Sequence, residues 1–318
     1  MISKFRIGVL VIILNFFASV AMIWGQDNPS LLQMAVPSLN IAPDARGGGM
    51  GDMGAATLPD INSQYWNAAK YAFMGSKAGV SLSYTPWLRK LVNDVALVNM
   101  TGYYKLGNSD LQAISASLRY FSLGEVNIWE NIGDVPYGLN PYEMAFDVAY
   151  SRKLSESYSM AVTLRYIRSD MGTDQNDESN AGNAFSADIS GYLEKYVLMG
   201  NAEALWSFGF NLSNIGSKIS YDGGNTNQYL PAKLTLGTGL LYPIDDYNQI
   251  GVYLDLNKYM VPYAPQKEEG ETDADYQTRV DDYKSWSSLS GMLKSFTDSP
   301  NGLSLIHISE PTRLALIS

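Results

Sequence analysis

The sequence contains no cysteine and a single histidine, His307. Without cysteine there is no disulfide and no thiolate metal site. Charged residues are scarce, at 17%, where a soluble domain carries about 25%. The balance is acidic, −10 at neutral pH, so the chain lacks the basic footprint that holds nucleic acid. Beyond the first two dozen residues, no apolar run approaches the length of a membrane-spanning helix.

The two ends read differently from the middle. "MISKFR" carries Lys4 and Arg6, the uncharged run "IGVLVIILNFFASVAMIW" follows, and Gly25 offers a small residue before Gln26. This pattern predicts a secretory signal peptide over 1–25, the alternative being a membrane anchor. At the other end, "LSLIHISEPTRLALIS" (303–318) resembles the translation of a transposon-end adapter used for sequencing libraries. The expectation is a foreign tail with the native C-terminal part missing. His307 lies inside it, so it counts neither as a catalytic base nor as a ligand. With no other histidine, a Ser-His-Asp triad is excluded, and no G-x-S-x-G elbow occurs.

"APDARGGGMGDMGAATLPD" (42–60) poses a separate question, because Gly49, Gly51 and Gly54 spell G-x-G-x-x-G. That motif cradles a dinucleotide only between a buried strand and a helix N-terminus. Here Pro43 and Asp44 precede it and Pro59 follows closely. The expectation is irregular glycine-rich backbone that needs no cofactor, within an N-terminal segment over 26–70 that is periplasmic or luminal.

From residue 71 the dominant period is two. Trp206, Phe208, Phe210 and Leu212 alternate with Ser207, Gly209, Asn211 and Ser213. Val148, Leu164 and Leu254 fall on apolar faces, while Asp147, Arg165 and Asp255 fall on polar ones. Alternation predicts strands with one apolar and one polar side, about nine of them between 71 and 259. Many reach ten residues, the length that a tilted membrane strand needs. Aromatic pairs such as Tyr103–Tyr104 and Tyr120–Phe121 near strand ends suggest interfacial girdles. Short links near 107–110, 155–157, 199–203 and 243–248 alternate with long ones, the asymmetry of an outer-membrane barrel. A soluble lipocalin-like barrel is the alternative. The fold class is thus all-β, a transmembrane antiparallel up-and-down barrel, present in part over 71–302. The acidic stretch at 266–284 leads to Tyr283, Trp286, Leu289, Leu293 and Phe296 at helical spacing. One short amphipathic helix is expected there, with Tyr283, Trp286, Leu289 and Phe296 as candidate partner-binding residues.

Three stretches carry a family likeness: "PDARGGGMGDMGAATLPDINSQYWNAAKYAFM" (43–74), "LPAKLTLGTGLLY" (230–242) and "GVYLDLNKYMVP" (251–262). In these the chain resembles the PorV (LptO) family of type IX secretion outer-membrane proteins, relatives of FadL-type barrels. Where FadL-like chains show Asn-Pro-Ala before the first strand, this one has Trp66-Asn67-Ala68. The resemblance implies an outer-membrane barrel of about fourteen strands when complete, its N-terminal segment on the periplasmic side. It implies no enzyme activity and no cofactor. The implied partners are secreted cargo, bound through its C-terminal domain and passed from the translocon to the attachment machinery, and outer-membrane lipid. Two other functions are open. A FadL-like channel for hydrophobic molecules would need an apolar tunnel, against the polar inward set here. A lipid deacylase would need catalytic groups, and Asp147, Asp188 and Asp255 fall on different strands.

Overall fold

The computed structural model describes residues 32–318 apart from 88–89, 91–93, 108–110, 129–136, 173–180, 201, 223, 225–226, 269, 298–305, 310–314 and 318. The expected signal peptide and the acidic run at 174–180 lie outside the described residues. Nine long strands follow one another in an antiparallel meander: β1 (Ala78–Pro86), β2 (Val95–Leu106), β3 (Gln112–Leu123), then β6 (Tyr142–Lys153), β7 (Tyr158–Asp170), β8 (Gly182–Met199), β9 (Ala202–Gly216), β10 (Lys233–Pro243) and β11 (Gln249–Tyr259). Between β3 and β6 the long link forms its own hairpin, β4 (Val126–Ile128) with β5 (Tyr137–Leu139). Short turns and long links alternate along the meander, so the sheet has a short-turn end and a long-loop end.

The two faces part as the alternation requires. Val148, Leu164, Trp206 and Phe208 are exposed, and Phe210 and Leu254 are half-buried on the same outward face. Asp147, Arg165, Asn211 and Asp255 are buried on the other. An apolar face turned outward and a polar face turned inward is the reverse of a water-soluble sheet, and it suits lipid outside. The aromatic pairs split across the wall: Tyr104 and Tyr120 are exposed, Tyr103 and Phe121 buried. Only one of each pair can reach the interface.

The expected start of the first strand fails. The first strand begins at Ala78 rather than at 71, because Ala68–Phe73 forms a 3-10 helix. Its Ala68, Ala69, Tyr71 and Ala72 are buried, so the segment packs on all sides and cannot be a one-faced strand. The outer edge of the last long strand is covered in part. Ile306–Ser309 (β12) pairs with Asp255–Lys258 of β11, and Ala315–Ile317 (β13) pairs with Gln249–Gly251. The tail expected to be foreign therefore satisfies part of that edge's backbone. β1 is paired on one side, with β2.

Candidate functional site

Residues 33–74 run along the inward face of the sheet. At the long-loop end, Ala35, Val36 and Leu39 pack with Ala145, Ile167 and Ile219. The Ala35 amide donates to the Tyr229 carbonyl at 2.9 Å. The Ser38 amide donates to Glu143 at 3.0 Å, and Arg119 donates to the carbonyls of Ser38 and Ile41 at 2.7 and 3.0 Å. At the short-turn end, Ala69 and Tyr71 pack with Tyr103, Ala113, Ala149 and Tyr192. The Tyr71 ring stacks on Tyr103 at 5.0 Å. The segment thus spans the wall from one end to the other along its inward face.

Its glycines have a steric purpose. Asp44 caps a one-turn helix, Ala45–Gly49, by accepting from the Gly47 amide at 2.7 Å. The same carboxylate accepts from the Trp66 indole at 2.9 Å. A Cβ on Gly47 would stand 2.4 Å from the Trp66 ring, and one on Gly54 2.2 Å from it. The Trp66 indole lies flat against this backbone, and that closeness excludes any side chain there. The stretch is therefore not wholly irregular, and no phosphate is needed to explain it. The wall makes the matching concession: a Cβ on Gly209 would meet the Ala55 carbonyl oxygen at 1.9 Å. A strand glycine often marks such an approach of another backbone.

Polar side chains then fasten the segment. Asp255 accepts from the Gly54 and Ala55 amides at 2.9 and 3.0 Å. Asn67 donates to the Ala55 and Gly191 carbonyls, both at 2.9 Å, and its oxygen caps the Ala69 amide. Ser207 donates to the Ala56 carbonyl at 2.6 Å, and Lys70 to the Gly54 carbonyl at 2.8 Å. Thus Trp66 and Asn67 both hold the plug in place, and Ala68 sits buried beside them. Deeper in the wall, Arg165 pairs with Asp147 at 2.6 Å and Asp188 at 2.9 Å, and donates also to Asn214. Asp147 and Asp188 are brought together after all, as the two anionic partners of one guanidinium. Asp255 is instead engaged by plug amides. An internal cavity of about 30 Å³ is lined by Asn99, Arg119, Asn211 and Lys233 among others, with room for roughly two waters.

The long-loop rim is built differently. Helix Asp273–Ser285 is capped by Thr272, which accepts from the Asp275 amide, and none of its residues is buried. A second helix, Ser288–Lys294, is capped by Ser287. The single amphipathic helix expected through 283–296 is therefore broken at Trp286 and Ser287, both extended. Ser287 uses its hydroxyl on the Ser290 amide at 3.2 Å, which starts a new helix instead of continuing the old. Tyr283 and Trp286 come together, ring centroids 5.7 Å apart, and Tyr283 also meets Tyr229 at 5.7 Å. The Lys294 ammonium sits 3.6 Å above Trp286. Leu289 and Phe296 stay exposed. Beside the aromatic cluster a cleft of about 190 Å³ opens between Gln33, Tyr229, Pro265, Tyr276 and Tyr283. Arg279 clamps the approach, donating to Glu271 at 2.8 and 2.7 Å. That pairing holds the Glu271 carboxyl below its ordinary range.

Long antiparallel strands with an apolar exterior, a polar interior and a luminal plug define an outer-membrane-type β-barrel wall. Among the described residues no helix is long and apolar enough to cross a membrane. The family model described as Type IX secretion system protein PorV matches residues 25–267. The chain belongs to that family, and so is a component of type IX protein secretion at the outer membrane. Comparison with curated proteins gives no match.

Proposed function

We propose that the protein binds secreted cargo, through the cargo's C-terminal domain, and passes it from the translocon to the surface attachment machinery. The short-turn end then faces the periplasm and the long-loop end the exterior. The observation that carries the reading is the aromatic cleft at the long-loop end, where Tyr229, Tyr283 and Trp286 cluster above a plugged lumen. Aromatic anchors supply much of the energy at protein interfaces. The acidic helix beside them, with Asp273, Asp275, Asp281 and Asp282, suits steering of a basic partner. A channel for hydrophobic solutes would need an apolar tunnel, whereas the cavity beside the plug, about 30 Å³, is lined by Arg119, Asp147, Arg165 and Lys233. The polar wall residues Asp147, Asp188, Ser207 and Asp255 bond to the plug or to one another, which supports a binding role.

The test is co-purification of a secreted substrate's C-terminal domain with the full chain. Trp286→Ala should weaken capture while outer-membrane levels hold. Unchanged capture after replacement of the whole 266–296 segment would refute the placement.

A further inference from the structure

The second rim helix, Ser288–Lys294, packs on the outside of the wall. Its buried Met292 clusters with Ala232 and Met260, and Leu212, Ile215 and Leu234 pack against that cluster. Leu212 and Leu234 are register partners, on the same outward face as the Phe208–Thr238 and Phe210–Leu236 pairs below them. On the next strand Lys258 is the partner of Leu234. Its ammonium donates to the Ser295 carbonyl at 3.0 Å and lies 5.0 Å from the Phe296 ring. The stretch 288–296 therefore lies over the outer face where β9, β10 and β11 reach the long-loop rim. The side turned away from the wall carries Leu289, Leu293 and Phe296, spaced four and three apart and exposed by 63%, 71% and 47%. Such a stripe in water would be costly. Here it continues the apolar belt of Phe208 and Leu236, and the amines of Lys258 and Lys294 stand beside it.

We infer that this helix lies in the membrane interface, with Leu289, Leu293 and Phe296 in the acyl boundary and Lys258 and Lys294 at the level of anionic lipid phosphates. An apolar stripe bordered by lysines is how interfacial helices hold a membrane surface, and lysine stems reach outward to place the charge among headgroups. The occupant is lipid because the stripe joins a surface that already faces lipid. The inference goes beyond cargo binding and divides the four candidate residues: Tyr283 and Trp286 stay with the cleft, while Leu289 and Phe296 turn to the bilayer. The helix would fix the rim, and the cleft with it, at a set depth in the membrane.

The chain has no cysteine, so single labels are clean. Leu293→Cys and, separately, Leu289→Cys would carry an environment-sensitive nitrobenzoxadiazole dye on the full chain, reconstituted in phosphatidylcholine–phosphatidylglycerol vesicles. Gln277→Cys, on the exposed helix, is the aqueous reference. Doxyl-labelled lipid should quench the dye at 293 and 289 several-fold more than at 277, with blue-shifted emission, and aqueous iodide should do the reverse. Iodide access at 293 and 289 equal to that at 277 would overturn the inference. Shielding from both quenchers would overturn it too, by showing protein cover in place of lipid. Lys258→Gln with Lys294→Gln should reduce the doxyl quenching gained when phosphatidylglycerol is added to phosphatidylcholine. An unchanged gain would remove the lysines from the account. The quenching arms keep Trp286, whose ring lies under the Lys294 ammonium, and failure of the cargo reading is scored separately by capture.

Discussion

Two segments outside the wall, 44–74 and 266–296, are of similar length, and their fates differ. About half of the first is buried, its exposed residues all within 45–52, and hydrogen bonds to the strands fasten it along its length. The second puts thirteen residues into a helix with none buried, and touches the wall mainly through Met292 and Gly291. Composition foreshadows the difference. Glycine and alanine in 44–74 let backbone meet backbone, while aspartate, glutamate and lysine in 266–296 keep the helix in water. A region held by many buried contacts opens only with the whole fold, whereas one held by few opens on its own. Stability is thus concentrated in the plugged wall, and the adaptable surface is at the rim, where a partner can be met at little cost to the barrel.

The largest break in that contrast should come from Arg165. Replacing it with Met leaves Asp147 and Asp188 buried together without their cation. Removing one partner of a buried ionic set typically costs about 3–5 kcal/mol. Denaturant unfolding of the reconstituted full chain should show a loss of this size, and Asp147→Asn combined with Asp188→Asn should restore part of it. A loss below about 1 kcal/mol, the scale of a surface pair, would mean the cluster is solvated and the plugged region is not the stable one.

Next in size is Gly209→Ala. The added methyl would stand 1.9 Å from the Ala55 carbonyl oxygen, and backbone cannot swing aside as a side chain can. Overpacking of this kind costs about 1–3 kcal/mol. It should also raise protease access to 44–60. Gly49→Ala, in the same segment but with nothing within 4 Å of the new atom, should leave both readings unchanged. Equal effects at the two sites would mean the plug does not press on β9.

Much of the wall was legible in the residues. Period two fixes which of Phe208 and Ser207 faces out, and link lengths fix the order of strands. The filled lumen was not legible, because a polar inward face such as Ser207, Asn211 and Asp255 reads the same whether it meets water or plug backbone. A signal did exist: Gly209 and Gly237 interrupt strands on that inward face, and glycine there marks close approach by another chain segment. The rim failed for a different reason. Helical spacing runs unbroken from Tyr283 to Phe296, but Ser287 and Ser290 supply a cap that restarts the helix, and local capping overrides periodicity. Nor could spacing reveal that Leu289 and Trp286 serve different surroundings. That depends on Met292 joining Ala232 and Met260 in a cluster against which Leu212 and Leu234 pack, residues distant in sequence.

The smallest effect belongs to the clamp at the start of the rim. Arg279 donates to Glu271, and the Glu268 amide donates to the same carboxylate at 3.0 Å. Both favour the charged form, so the folded carboxyl titrates below its ordinary value, Arg279 contributing most. The sign follows from linkage. The clamp's contribution is complete above the ordinary glutamate range and is lost as pH falls through that range toward the lowered value. Because the pair sits at the surface, the change should be local, with the wall unaffected. Amide exchange over 271–279, corrected for its intrinsic pH dependence, should quicken as the medium is acidified through this window. Exchange in β7 and β8 should not. Glu271→Gln should exchange quickly at every pH, since its neutral amide cannot replace the charge that Arg279 meets. A pH response that survives in Glu271→Gln would place the titrating group elsewhere on the acidic helix. A response shared by β7 and β8 would erase the contrast between the two segments, because the rim would then be coupled to the plugged wall.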